Sequence, residues 1–227
     1  MKKKLTYFKA LEIFLIILVI ALLCLCAVQF FNLNKKPFAY NFLQQCVCIE
    51  VEYTDGSSAQ GTAVMLNQTQ AVSVAHLFEK EVENIKGRVY NSNEKFDLSL
   101  QKTDSAVDLA MLSTVDFNQE ILPLNFRSKT DINFGDEIVK FGNALGYGIS
   151  ASEGIVSNPY LKMEIEGNER ELVQISMLIT SGDSGGAVFT KEGKFVGIIS
   201  FKLNPTPNPS DVLSYIIPSY IVKGFVN

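Results

Sequence analysis

Tryptophan is absent from the chain and histidine occurs once, at His76, so any imidazole chemistry is confined to one position. Cysteine is scarce as well: Cys24 and Cys26 lie in an apolar run, and Cys46 and Cys48 sit two apart in "QCVCIEVEY". On a strand that spacing puts both thiols on one face. No second pair exists to complete a disulfide framework or a zinc set, so buried free thiols are expected and no metal site or cofactor. An excess of positive charge is also missing. The net charge is -4 with the charges spread out, so neither DNA nor RNA is expected as a partner. Internal repeats and low-complexity tracts are lacking too. What is present is apolar: 47% of the 227 residues are hydrophobic, enough for a real core in one all-β domain or two small packed subdomains.

The N-terminus departs from this average. "MKKKLTYFKA" carries Lys2, Lys3, Lys4 and Lys9, and Leu11 to Phe31 is almost wholly apolar, with Glu12 at its start and Gln29 near its end. As a helix at about 1.5 Å per residue, Ile13 to Phe31 would span about 28 Å, close to the hydrocarbon thickness of a bilayer. A core helix would carry a polar face, and this run has none. A cleaved signal peptide would have a shorter apolar region ending in small residues, which Cys26-Ala27-Val28-Gln29 does not match. Leu23 before Cys24 is likewise not the small residue of a lipoprotein cleavage site. The reading is a basic cytoplasmic segment over 1–10, a transmembrane signal anchor over 11–31 and a linker over 32–41. The four lysines outnumber Lys35 and Lys36, which puts the N-terminus inside the cell membrane and the domain over 42–227 outside.

That domain reads as strand after strand. "CVCIEVEY" alternates, "TDGSSAQ" turns, "GTAVML" returns, and "AVSVAH" runs apolar into the histidine. "KGRVYN", "KFDLSLQKT", "VDLAMLS", "DEIVKFGN", "EGIVSN", "LKMEIEG", "ELVQISML", "GAVFT", "KFVGIISFK" and "VLSYIIP" continue the series, with Gly, Asn, Asp or Pro in most gaps. Strands at such short intervals point to an all-β sandwich or barrel pair. Helical turns are expected only in "LFEKEVENI" and in "PSYIVKGFV". Phe126, Phe134, Phe141 and Phe195 read as core residues, Asp131 and Asp136 as turn residues, and "PTPNPS" at 205–210 as a rigid exposed loop.

"SGDSGGAV", Ser181 to Val188, surrounds one hydroxyl and one carboxylate with Gly182, Gly185 and Gly186. A serine becomes a nucleophile when a base takes its proton, and the anion formed on attack needs donors already aimed at it. Glycine backbones can turn successive N–H groups into one concavity, so Gly182 and Ser184 are candidate oxyanion donors. A plain glycine-rich turn is the alternative. His76 closes an apolar strand, and Asp108 opens "DLAML". The order His, Asp, Ser is that of a chymotrypsin-type triad.

With these residues in view, the chain resembles the chymotrypsin family: "AVSVAHLF" resembles its histidine strand, "DLAML" its aspartate strand and "SGDSGGAV" its nucleophile loop. The flanks "GTAVML", "DEIVKFGNALGYGISASEGIVS", "GKFVGIIS" and "YIIP" are most similar to the protease domain of Do-like (HtrA/Deg-type) bacterial proteases, over about 42–225. The resemblance implies two six-stranded antiparallel β-barrels with a C-terminal helix. It also implies a serine endopeptidase acting on polypeptide substrates outside the cytoplasm. In it Ser184 attacks, His76 transfers the proton, Asp108 orients the imidazole, and the Gly182 and Ser184 N–H groups bind the oxyanion. It places the substrate pocket at "SMLIT" and "ISFKL", giving Leu178, Thr180, Ser200 and Phe201 as substrate-binding residues. Leu178, where an acidic residue would recruit Lys or Arg, implies a small or medium apolar side chain in the substrate. Asn143 and Gly146 in "GNALGYG" resemble a loop near the active site, although a turn alone would account for them.

Three departures matter. Do-like proteases usually carry Asn before the nucleophile, where this chain has Asp183, as in digestive-type relatives whose carboxylate receives an ammonium freed by zymogen cleavage. Either Asp183 finds another partner in its loop, or processing near "KKPFAYNF" supplies the amine. No PDZ domain is read after the protease domain, so activation through one in cis is not expected. Relatives form trimers through N-terminal segments, a region occupied here by the expected anchor, which leaves a homo-oligomer open. A catalytically silent protease-like domain binding peptides or partners at the cell surface is the second functional reading.

Overall fold

The chain divides into two units, Met1–Pro37 and Phe38–Asn227. The computed structural model describes residues 2–33, 37–203 and 212–227. The first unit contains one helix, α1 (Lys2–Leu33), whose described side chains are Lys9 and residues 13–27, all exposed. Among the described residues no helix is long and apolar enough to cross a membrane. The anchor expected over 11–31 therefore has a helical backbone beneath it but is not established by the structure. Part of the expected linker, and the loop at 205–210, lie outside the described residues.

The second unit begins at Phe38, inside the stretch expected to be linker. Phe38–Gln45 forms a 3-10 helix with Ala39, Phe42 and Gln45 buried. Phe42 stacks on Phe189 at 4.4 Å between ring centroids, and the Ala39 N–H donates to the Lys191 carbonyl. Apolar side chains at this spacing pull the segment onto the domain.

Strands β1 (Cys46–Tyr53), β2 (Ser58–Met65), β3 (Gln70–Ser73), β4 (Val82–Val89), β5 (Phe96–Asp104) and β6 (Leu109–Ser113) close a barrel in the order β1-β2-β3-β6-β5-β4. The helix expected in "LFEKEVENI" is only a 3-10 turn, Ala75–Phe78. From Val82 the chain pairs with β1, because an alternating segment beside an open strand edge gains more as a ladder than as a helix. Cys46 and Cys48 are buried and free on β1, and burial pushes the Cys46 thiol up to about 12.

A second sheet holds β7 (Asn125–Phe126), β8 (Glu137–Gly142), β9 (Ser150–Ile165), β10 (Asn168–Ile175), β11 (Ala187–Thr190), β12 (Lys194–Leu203) and β13 (Leu213–Pro218). Its order is β11-β8-β9-β10-β13-β12-β7, and an added β11–β12 pairing closes the first six into the second barrel. β7 is an extra two-residue strand paired parallel to β12. "EGIVSN" and "LKMEIEG" are thus one strand rather than two, β9, which folds back on β10 through a turn at Glu166 and Gly167, both at positive φ. Helix α2 (Ser219–Val226) ends the chain as expected, with Val222 buried against the first core.

The second barrel's strands read as unbroken apolar runs because both of their faces are covered. Ile138, Val188, Val196 and Ile199 fill one core, while Val139, Phe141, Phe189, Phe195 and Ile198 belong to the core that includes the first barrel. Phe141 and Phe195 are thus core residues as expected, and Phe126 packs edge-on to Phe195. Phe134 is not: it is 68% exposed in the loop before β8. Asp131 caps a 3-10 turn with Ser128, and Asp136 pairs with Arg127 at 2.6 Å, so both serve as turn residues.

Candidate active site

β3 and β6 are antiparallel neighbours with Ser73 opposite Ala110. The chain leaving β3 and the chain entering β6 therefore stand at the same end of the barrel. The first carries His76 on its 3-10 turn, the second Asp108. His76 Nδ1 lies 3.0 Å from Asp108 Oδ2 and 3.1 Å from Oδ1, and the His76 amide donates to Oδ1 at 3.0 Å. Asp108 has φ +59°, a left-handed backbone that an Asp tolerates better than most residues yet still at a cost of about 1 kcal/mol or more. The two bonds from His76 hold it there.

Ser200 Oγ donates to Asp108 Oδ2 at 2.6 Å across the gap between the barrels. Burial raises the Asp108 carboxyl, but the hydrogen bonds and charge of His76 and the bond from Ser200 outweigh it and hold the group below its ordinary carboxylate range. Its side chain is 4% exposed, that of His76 36%, so the imidazole can meet a solute while the carboxylate cannot.

Ser184 arrives from the second barrel. The Gly185 N–H donates to Ile199 O and the Ile199 N–H to Gly186 O, each at 2.7 Å, which extends the β11–β12 ladder and sets Ser184 beside Ser200. The Ser184 hydroxyl donates to the Ser200 carbonyl at 3.1 Å, not to His76. Ser200 thus touches both Asp108 and Ser184 and ties the three predicted residues into one site.

Glycines surround Ser184 because nothing larger fits. Gly182 and Gly185 have φ +89° and +86°, and a Cβ on Gly185 would collide with the Thr62 carbonyl and the Ser73 hydroxyl. Among the described residues neither the Gly182 nor the Ser184 N–H donates to a protein acceptor. Two free amides at the apex of a nucleophile loop can take an anionic oxygen.

Thr62, on β2, carries no mark in the sequence that sets it apart from any strand threonine. Its N–H donates to Ser184 O at 2.8 Å, its hydroxyl donates to Gly182 O at 2.8 Å, and the same hydroxyl accepts the Asn143 N–H at 2.9 Å. One first-barrel residue thereby holds the nucleophile loop from both sides of Asp183. Asn143 is likewise more than a turn residue: it is buried and its Oδ1 accepts the Gly148 N–H at 2.8 Å. Replacing Thr62 by Val keeps the shape and strips two bonds, leaving a buried carbonyl and a buried amide unpaired at about 1–3 kcal/mol each. Thr62→Val should therefore lower the melting temperature by roughly 5 °C or more. A melt coincident with the parent's would remove the clamp.

The four residues expected to line the substrate pocket part company. Phe201 does face a cleft of about 290 Å³ shared with His76 and Asp108, while also packing on Tyr215 at 5.2 Å. Ser200 is buried behind the site, its hydroxyl engaged by Asp108. Thr180 directs both its N–H and its hydroxyl to Asp183 Oδ2, at 2.8 and 3.0 Å. Leu178 is exposed and lines a separate depression of about 400 Å³ with Ser157, Gln174 and Val212, which no residue of the predicted triad touches. Unforeseen in the cleft are Ile165, Glu166 and Arg170 from the β9–β10 hairpin, which is held by Arg170 donating to Ser105 O at 2.8 Å and to Ala106 O at 3.1 Å. The two strands were legible in "LKMEIEG" and "ELVQISML"; the reach of their hairpin across to the other barrel was not.

Asp183 is fully buried; Thr180 in its own loop donates twice to Oδ2, as one of the two expectations had it, and the charge partner comes from β8, where Lys140 Nζ lies 2.6 Å from the same oxygen. The possibility of an amine freed by processing is thus answered by a side chain.

A hydrogen-bonded imidazole–carboxylate pair, a serine on a glycine-built loop and two free amides in the seam of a double β-barrel define a serine-hydrolase type of centre. Comparison with known proteins agrees. The trypsin-like peptidase domain family matches residues 61–198, more than half of the chain, and the chain belongs to it. Among curated relatives, the serine protease Do-like HtrA of Bacillus subtilis is 28% identical over 180 residues, 76% of this chain and 39% of that protein. The Do-like HtrA of Lactobacillus helveticus is 31% identical over 129 residues, 55% of this chain and 31% of that one. The serine endoprotease DegS of Haemophilus influenzae is 28% identical over 160 residues, 70% of this chain and 46% of that one. The chain spans less than half the length of these relatives. In fold it is similar to the HtrA-type protease AlgW with tripeptide, at TM-score 0.70, 19% identity and coverage of 83% of this chain and 60% of that one. It is similar as well to a protease of M. tuberculosis in its active form, at TM-score 0.71, 18% identity and coverage of 83% and 82%.

Proposed function

We propose that this chain is a serine endopeptidase that cleaves polypeptides through an acyl-enzyme. The observation that carries the reading is the buried Asp108 carboxylate bonded to the His76 ring, joined through Ser200 to Ser184. In this mechanism the Ser184 side chain turns about Cα–Cβ from the Ser200 carbonyl toward His76, which takes its proton as the oxygen attacks the scissile carbonyl. Asp108 holds the imidazole in the tautomer with Nδ1 protonated and stabilises its cationic form. The Gly182 and Ser184 amides receive the negative charge on the former carbonyl oxygen, an interaction worth about 3 kcal/mol per donor. His76 returns the proton to the leaving amine, and water repeats the sequence on the ester. The cleft bounded by Phe201, Ile165 and Glu166 is the place for the substrate chain on one side of the cut.

The second reading, a silent domain that only binds peptides, has one observation on its side: the Ser184 hydroxyl bonds to Ser200, not to His76. Apo sites commonly hold such bonds loosely and tighten with substrate. Incubating the unit from Phe38 onward with a peptide library and mapping the cut sites by mass spectrometry separates the two. Cuts clustered at particular positions are expected; an intact library from a folded domain would favour the silent reading.

We also propose that residues 11–31 anchor the chain in a membrane with the peptidase domain on the extracytoplasmic side, supported by the almost wholly apolar run and the flanking lysines. The full chain should remain with membranes through alkaline carbonate extraction, and a chain starting at Phe38 should not. Release of the full chain would contradict the anchor.

A further inference from the structure

Alternation along β8 puts Lys140 on the same face as Ile138, which points into the second barrel's core with Val188, the residue registered opposite Lys140. An ammonium in such surroundings is costly unless it is paired. Lys140 is 5% exposed, and its Nζ is 2.6 Å from Asp183 Oδ2. The same oxygen accepts both bonds from Thr180. Among the described residues Asp183 Oδ1 has no partner, and it faces Gly142, where an added Cβ would collide with it. The carboxylate is therefore clamped through one oxygen and closed in on the other side. Its backbone is the link between Gly182 and Ser184, whose amides are the free pair. Whatever fixes the Asp183 side chain fixes the direction of those two N–H groups.

We propose that Lys140 is a positioning residue that holds the nucleophile loop in its oxyanion-binding shape, a built-in counter-ion to Asp183 that makes an ammonium freed by chain cleavage unnecessary. This rests on the peptidase reading above. It follows that the loop reaches this shape with a counter-ion the chain already carries. Nothing in the order of residues marks Lys140, since a lysine in "DEIVKFGN" reads as the polar face of an alternating strand; only the barrel's closure shows that this face is buried.

The test is a charge-pair cycle read by the rate of fluorophosphonate labelling at Ser184 and by peptide kcat and KM. Lys140→Met leaves a buried carboxylate unpaired and frees the loop, so labelling and kcat should fall by about 100-fold, with KM little changed. Asp183→Asn alone strands the lysine and should fall comparably. The double variant K140M/D183N removes both charges while Asn still accepts from Thr180, and should recover to within about tenfold of the parent. A lysine that only stabilises the fold would lower the melting temperature of Lys140→Met and leave kcat per folded molecule unchanged. If a single variant does not fold, the double variant still decides: folded and labelled supports the pair, folded and no better labelled than the singles overturns it. Parental labelling rates in folded Lys140→Met overturn the proposal while leaving the peptidase reading intact. No labelling of the parent overturns both.

Discussion

Ser184→Ala should reduce peptide cleavage by about 10⁶-fold in kcat, to the level that binding and the oxyanion amides alone can sustain. Among the described residues the hydroxyl makes one protein hydrogen bond, to the Ser200 carbonyl, and the position is half-buried. Its loss should cost about 1 kcal/mol at most, or roughly 2–4 °C in melting temperature for a domain of this size. The disproportion between the two effects is the diagnostic. A residue that only packs would lose stability and activity together, whereas a nucleophile loses activity alone. Cleavage at the parental rate by a folded Ser184→Ala variant would remove Ser184 from the mechanism.

Asp108→Asn should lower kcat by about 10⁴-fold with the fold retained. Asn suits the left-handed backbone at this position as well as Asp does, so the change isolates the carboxylate from the strain. An amide NH₂ facing the imidazole favours the tautomer in which Nδ1 is the acceptor, leaving Nε2 protonated and unable to take the serine proton. The pH dependence follows from the direction of the Asp108 shift. Its folded value lies below the unfolded one, so the stability it contributes is fully present above the ordinary carboxylate range and is lost as pH falls through the folded value. Acid melts of the parent should therefore show a loss that Asp108→Asn lacks. Identical acid profiles for the two proteins would mean that the carboxylate is not held by His76 and Ser200 as the geometry indicates.

Some of this was legible in the residues and some was not, for identifiable reasons. His76 and Ser184 stand out as the one histidine in the whole chain and a serine crowded by glycines, whereas Asp108 was legible only from the His, Asp, Ser order and the resemblance of "DLAML" to the family's aspartate strand. The strands were readable from alternation and turn residues, and the last helix from its spacing after Pro218. The residues that hold the site in shape were not readable. Thr62 looks like any strand threonine, and its three bonds reach to Gly182, Ser184 and Asn143, far away in sequence. Ser200 was assigned to the substrate because of where it falls along the chain; its hydroxyl in fact faces Asp108. Leu178 and Phe134 were misplaced for a related reason, since loop direction is set by tertiary packing that no periodicity records. The start of the 3-10 segment, 38–41, looked like linker because of its neighbours "NKKP", yet Ala39 is buried and the segment docks once Phe42 has the Phe189 ring of β11 to stack on. What eludes the sequence here is the set of cross-barrel contacts that turn a serine loop into a preorganised site.

The central claim, that Ser184 is a nucleophile driven by the His76–Asp108 pair, is tested most directly by treating the unit from Phe38 onward with a fluorophosphonate and reading its intact mass and peptide map. A single adduct on Ser184 is expected, absent from Ser184→Ala and formed far more slowly in Asp108→Asn. A folded domain that gains no adduct, or gains it on another residue, would contradict it.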